Sequence, residues 1–207
     1  MLRIGVMVSG GGTNLQAILD RIAQGKLPGC QIVTVVASKP GIYALIRAEK
    51  NNISTAVISR KSFEVLEAYD EALLAHMKTY EVELIVLAGF LSLLGEKFVR
   101  AYKNAIINVH PSLIPAFCGK GYYGLIPHIK ALEYGVKVTG ATIHFVEPEY
   151  DSGPIILQKA VEVLEGDTPE TLQKRVMEQA EWGLLPEAIR LFSEAKLKIE
   201  GRHVKIL

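Results

Sequence analysis

The run Leu2-Arg3-Ile4-Gly5-Val6-Met7-Val8, then Ser9-Gly10-Gly11-Gly12-Thr13-Asn14, then Leu15-Gln16-Ala17-Ile18-Leu19 decides the fold class. A short apolar run ending in glycines and followed by apolar residues at helical spacing reads as the strand, tight turn and helix of a βαβ unit. At such a junction backbone N–H groups and a helix N-terminus converge, and an anion is the natural guest. No Gly-Lys-Ser/Thr closes the loop, so it is not a nucleotide P-loop, and Leu15 stands where a dinucleotide fingerprint wants its third glycine. The second strand ends Ala37-Ser38-Lys39, without the acid that a dinucleotide ribose requires. The pattern favours a monophosphate. The competing reading is a tight turn and nothing more.

Working outward, further strands are expected at Gln31 to Ala37, Thr55 to Ile58, Leu84 to Ala88 and Ala105 to Val109. Helices are expected near Leu15 to Gln24, Ile42 to Asn51 and Phe63 to Thr79. Beyond a Pro- and Gly-rich stretch, Pro111 to Pro127, come a short helix ending near Tyr134 and strands at Val138 to Phe145 and Ile155 to Val163. Thr168 and Pro169 can start a long helix that Pro186 should bend or divide before Phe192. The tail around Glu200-Gly201 reads as a hairpin. The expectation is one α/β domain over residues 1–207, a mostly parallel, twisted, Rossmann-like sheet flanked by helices.

Composition narrows the function. The 207 residues are 49% hydrophobic and 22% charged, with 23 Lys and Arg against 22 Asp and Glu, a net charge of +1. No basic surplus draws nucleic acid or an anionic membrane. Cys30 and Cys118 form no CxxC pair, so neither a disulfide scaffold nor a zinc ribbon is expected. The first apolar run is too short for a signal segment or a membrane span, and a cytoplasmic location is expected.

The fifth expected strand ends Ile106-Ile107-Asn108-Val109-His110-Pro111-Ser112, and alternation turns Asn108 and His110 to one side. Ligands of open α/β sheets bind beyond such carboxyl ends. An imidazole that titrates near neutrality and an amide that can donate to an oxyanion suit acyl transfer. A structural strand-end histidine and a turn asparagine are the alternative. Asp151, in Glu149-Tyr150-Asp151-Ser152-Gly153-Pro154, lies on a loop that could return to the same edge and orient the imidazole. Ser112 lacks a G-x-S-x-G setting, and Cys118 has no evident partner, which favours direct attack by an amine or water. His110, His128 and His144 show no zinc spacing, so no metal is expected. His76, His203 and Trp182 read as surface or packing residues.

Together, Ser9-Gly-Gly-Gly-Thr-Asn-Leu-Gln16, Leu87-Ala-Gly-Phe90, Ile107-Asn-Val-His-Pro-Ser-Leu113 and Asp151-Ser-Gly-Pro-Ile-Ile-Leu-Gln158 resemble the phosphoribosylglycinamide formyltransferases, folate-dependent enzymes of purine synthesis. The resemblance covers nearly the whole chain. It implies Asn108, His110 and Asp151 as catalytic residues, Gly12, Thr13 and Asn14 on the substrate phosphate, and Glu181 on the glycinamide. Leu91, Ser92, Leu93, Leu94 and Asn108 would border the folate, with 10-formyltetrahydrofolate as co-substrate and no metal. Ser92 and Leu66 stand where many members carry arginine, with Arg60 and Lys61 close by, and the stretch Cys118 to Pro127 is longer than the usual loop and expected to be mobile. The implied partners are the two small molecules, with no nucleic acid or membrane, and a homodimer is left open. The competing functions are a formyltetrahydrofolate hydrolase, a methionyl-tRNA formyltransferase, which the charge disfavours, and a non-catalytic phosphosugar-binding module.

Overall fold

A computed structural model describes residues 1–207. The architecture is α/β, with a mostly parallel sheet and flanking helices. Two compact units emerge, one of residues 1–108 with 146–148 and the other of 109–145 with 149–207.

The first unit holds strands β1 (Leu2–Val8), β2 (Cys30–Ala37), β3 (Ser54–Val57) and β4 (Leu84–Leu87), and most of β5 (Ile106–His110). They run in the order β3-β2-β1-β4-β5, all parallel, the arrangement expected of a Rossmann-like half. β1 and β4 are apolar almost without interruption because helices cover both faces. Helices α1 (Thr13–Ala23), α2 (Tyr43–Lys50), α3 (Leu66–Thr79) and α4 (Glu96–Ala101) complete the unit. On α3, Tyr69, Leu73 and Met77 recur at helical spacing and are buried against Met7, Ile85 and Phe98, each contributing roughly 1.5–3 kcal/mol of burial. Gly5 permits the approach, since a Cβ there would lie 2.9 Å from Met77 Sδ.

Strand bounds agree with the sequence reading to about a residue, as boundary assignments usually do. Two departures stand out. α3 begins at Leu66 rather than Phe63, because Arg60–Ser62 form a separate 3-10 turn in which Arg60 Nη1 donates to the Phe63 carbonyl at 2.6 Å. α4, which the sequence reading did not place, is short. Its N-terminus is capped from α3: buried Asp70 accepts the N–H groups of Gly95 (2.9 Å) and Phe98 (3.1 Å).

The second unit holds α5 (Ile126–Tyr134), an antiparallel pair β6 (Val138–Phe145) and β7 (Ile155–Glu162), α6 (Pro169–Val176), α7 (Trp182–Ser193), and the hairpin β8 (Leu197–Glu200) and β9 (His203–Ile206). Leu172, Val176 and Ala180 pack on Ala141 and Val161 to form its core. Thr168 caps α6 as expected, its Oγ1 accepting the Thr171 N–H while its own N–H reaches Thr171 Oγ1. The helix is not divided at Pro186. Pro186 lies inside α7, and the irregularity is a π turn over Met177–Glu181.

Candidate active site

In the first unit the glycine loop is braced by its carbonyls. Ala44 N–H donates to Gly10 O (3.3 Å), Arg47 Nε donates to Gly11 O (2.9 Å), and Gln16 N–H closes the first α1 bond on Gly12 O (2.9 Å). In a trans peptide the C=O of one residue and the N–H of the next point opposite ways. With the carbonyls of Gly10, Gly11 and Gly12 held by α1 and α2, the following N–H groups of Gly11, Gly12 and Thr13 are directed away from those helix contacts. Gly12 has φ 75°, and a Cβ there would lie 2.7 Å from Ala44 Cβ, so both conformation and space demand glycine. Arg47 also donates to Gln16 Oε1 and lies over the Tyr43 ring, which fixes a cation beside a loop that carries no lysine of its own. Asn14 is buried in the first turn of α1.

Leu91 to Leu94 connect β4 to α4 without regular structure. Leu91 and Leu93 are exposed while Leu94 is buried, so the segment presents apolar side chains at the surface. Ser92 is half-buried, and Leu66 opens α3. Arg60 is engaged by the Phe63 carbonyl. Asn108 is half-buried in β5, two residues before His110.

In the second unit a carboxylate lies between two imidazoles. His110 Nδ1 is 3.6 Å from Asp151 Oδ2, and His144 Nε2 is 3.6 Å from Asp151 Oδ1. His110 and His144 are buried, and Asp151 is 14% exposed. A register shift between Ile143 and His144 re-aims the histidine at the end of β6. His110 Nε2 lies 2.9 Å from the Phe117 carbonyl and His144 Nδ1 lies 2.7 Å from the Phe145 carbonyl. A carbonyl only accepts, so those nitrogens carry protons, and His110 turns its Nδ1 to the carboxylate. Gly119 N–H donates to Asp151 Oδ2 at 2.7 Å. The start of the long loop is thus pinned on both members of the pair, through Phe117 and Gly119.

The charge states follow from these contacts. Burial lowers the His110 pKa, the negative Asp151 and the Phe117 carbonyl pull it back up, and the net direction is down. Burial alone would raise Asp151, but the histidines and the Gly119 N–H outweigh it and hold the carboxyl below its ordinary value. At neutral pH the pair is a neutral imidazole beside a carboxylate. Asp151 has φ 50°, a left-handed conformation that aspartate tolerates better than most residues.

Glu181 ends the π turn and is 5% exposed, a buried carboxylate on a helical irregularity of the kind found at functional sites. His76 bonds Thr34 Oγ1 (2.8 Å), and His203 is exposed on β9. No group of three or more His, Cys, Asp or Glu is arranged to hold a metal ion. Sequence reasoning weighed His144 and His128 only as metal ligands and passed over Arg47. His144 and Asp151 flank the β6–β7 connection, so a hairpin reading would have paired them. His128, on α5, is fully buried with both ring nitrogens unpartnered, and its charged form is disfavoured by burial and then by His110. Arg47 reaches the glycine loop only through the packing of α2.

Residues 2–189 match the family model described as formyl transferase. The chain is 42% identical over 199 residues to the trifunctional purine biosynthetic protein adenosine-3 of Drosophila pseudoobscura pseudoobscura, covering 95% of this chain and 14% of that protein. It therefore spans about a seventh of that relative's length. The phosphoribosylglycinamide formyltransferase of Haemophilus influenzae is 37% identical over 200 residues, covering 97% of this chain and 91% of its own. Among solved structures, glycinamide ribonucleotide transformylase 1 from Symbiobacterium toebii superimposes with a TM-score of 0.94 at 45% identity, covering 100% of this chain and 94% of that one.

Proposed function

This chain belongs to the formyl transferase family, and from that premise we propose that it transfers the formyl group of 10-formyltetrahydrofolate to the amine of 5-phosphoribosylglycinamide in de novo purine biosynthesis. Residues 1–207 act as one formyltransferase domain in the cytoplasm, with two small-molecule substrates and no metal. The reading is supported by bacterial relatives that carry this name and are covered to about nine-tenths of their length. The observation that carries it is the approach of His110 Nδ1 to Asp151 Oδ2, two residues after Asn108 on a strand end.

The residues divide the work. Gly12, Thr13 and Asn14 take the acceptor phosphate on backbone N–H groups, and Glu181 takes the glycinamide. Leu91 to Leu94 and Asn108 border the folate. The acceptor amine attacks the formyl carbon, leaving positive charge on nitrogen and negative charge on the formyl oxygen. Asn108 and the Nε2–H of His110 donate to that oxygen, and the proton shed by nitrogen is taken up where Asp151 and His110 Nδ1 face each other. The imidazolium so formed is stabilised by the adjacent carboxylate. The proton then goes to the leaving nitrogen of tetrahydrofolate as the old carbon–nitrogen bond breaks. For Nε2 to reach a substrate oxygen, the Phe117 carbonyl must give way, which assigns the loop Cys118 to Pro127 the part of a moving cover.

The test is to follow tetrahydrofolate release from 10-formyltetrahydrofolate with and without phosphoribosylglycinamide. Release that depends on the acceptor supports the transferase. Equal release without acceptor marks a hydrolase, and ligand binding with no release marks a phosphosugar-binding module.

A further inference from the structure

Ser9 belongs by sequence to the glycine loop, yet its polar groups are spent on the segment after β4. Its backbone N–H donates to the Gly89 carbonyl (3.1 Å), and its Oγ accepts the Leu91 N–H (2.9 Å). Ser38, one residue past β2, donates its hydroxyl to the same Oγ at 2.7 Å, and its own N–H is fixed on the Val8 carbonyl (3.0 Å). Ser9 is 5% exposed, so water does not replace a partner lost there. At the far end of the same segment Asp70 holds Gly95. Leu91 to Leu94 are thus slung between two polar clamps, with Leu91 itself 56% exposed.

We propose that Ser9 is a positioning residue for the formyl donor, although it stands in the loop that takes the acceptor's phosphate. This rests on the reading of Leu91 to Leu94 as the folate border. The Ser9 hydroxyl fixes the direction of the Leu91 peptide, and Ser38 acts on that peptide only through Ser9 by holding its oxygen in place. Remove the hydroxyl and the Leu91 N–H loses its protein acceptor, so nothing holds the direction of that peptide and the segment can shift. The glycine loop suffers less, because its carbonyls are braced from α1 and α2 by Ala44, Arg47 and Gln16.

Steady-state kinetics with 10-formyltetrahydrofolate and phosphoribosylglycinamide test this on the full chain. Ser9→Ala should raise the donor KM roughly tenfold, while acceptor KM and saturated rate stay within about twofold. Ser38→Ala should move the donor KM the same way by less. The double variant should be no worse than Ser9→Ala alone, because the two act on one bond. Ser9→Thr, which keeps the hydroxyl, should restore the donor KM, and with Ser38→Ala it carries the comparison if Ser9→Ala does not fold. A larger change in acceptor KM than in donor KM, or strictly additive effects, overturns the assignment while leaving the transferase reading intact. An unmodified protein that transfers no formyl group overturns both.

Discussion

The loop Ser9 to Asn14 and the group around Asp151 hold chemistry in opposite ways. The loop offers backbone N–H groups whose direction is set by carbonyls on α1 and α2, and none of those donors titrates. The Asp151 group gathers side chains from β5, β6 and the loop after β6, and most of its behaviour is protonation. Binding built on backbone is sensitive to a Cβ added where the turn has no room, as at Gly12, and indifferent to pH. Chemistry built on buried titratable side chains follows every change of charge. The contrast can be broken experimentally, because each region has substitutions that should damage one function and spare the other.

The largest effect is expected at Asp151. Asp151→Asn keeps the size of the carboxylate and removes its charge, and transfer should slow by roughly 10² to 10⁴-fold with both substrates still bound. Because Asp151 raises the His110 pKa against burial, the variant should also titrate His110 lower, which histidine NMR would show. An unchanged titration would reduce Asp151 to a turn residue. Next comes Gly12→Val, which forces a β-branched residue to φ 75° against Ala44. It should raise the acceptor KM by roughly a hundredfold and leave the donor KM nearly unchanged.

How much of this was legible in the sequence depends on the range of the cause. The five parallel strands, the glycine turn and the Thr168 cap are written locally, in apolar periodicity and in capping side chains, and the structure has them. Asn108, His110 and Asp151 were singled out by residue type and resemblance, and of these the structure brings His110 and Asp151 to 3.6 Å. What escaped was set by packing. α4 depends on a cap donated by Asp70 from another helix, the brace on Gly11 comes from Arg47 on α2, and His144 is re-aimed by a register shift. The π turn at Met177–Glu181 leaves no periodicity that a sequence window can separate from an ordinary helix, and the helix is not divided at Pro186.

A third prediction sharpens the contrast through pH. Burial, and then the charge of His110, push His128 from 6.5 down to about 4. Its pKa is lower in the folded state, so as pH falls below 6.5 the unfolded chain takes up a proton that the folded chain refuses. Stability should therefore fall between pH 6.5 and about 4, with His128 costing about 3 kcal/mol at the bottom of that window. His128→Leu should flatten this dependence, measured as urea midpoints at neutral pH and near pH 5. An identical slope in both proteins would show that the buried ring does not cause it. The smallest effect is expected from Arg47→Ala, which frees the Gly11 carbonyl and removes the nearby cation. The acceptor KM should rise by about tenfold, with Arg47→Lys intermediate and the donor KM steady. Loss of donor binding instead would contradict the brace.

The division between binding and chemistry is tested most directly by single-turnover transfer at saturating acceptor and donor, compared in Gly12→Val and Asp151→Asn. Saturation should return Gly12→Val to the unmodified rate, while Asp151→Asn should stay slow at any concentration. A Gly12→Val protein that remains slow at saturation, or an Asp151→Asn protein that recovers, would contradict it.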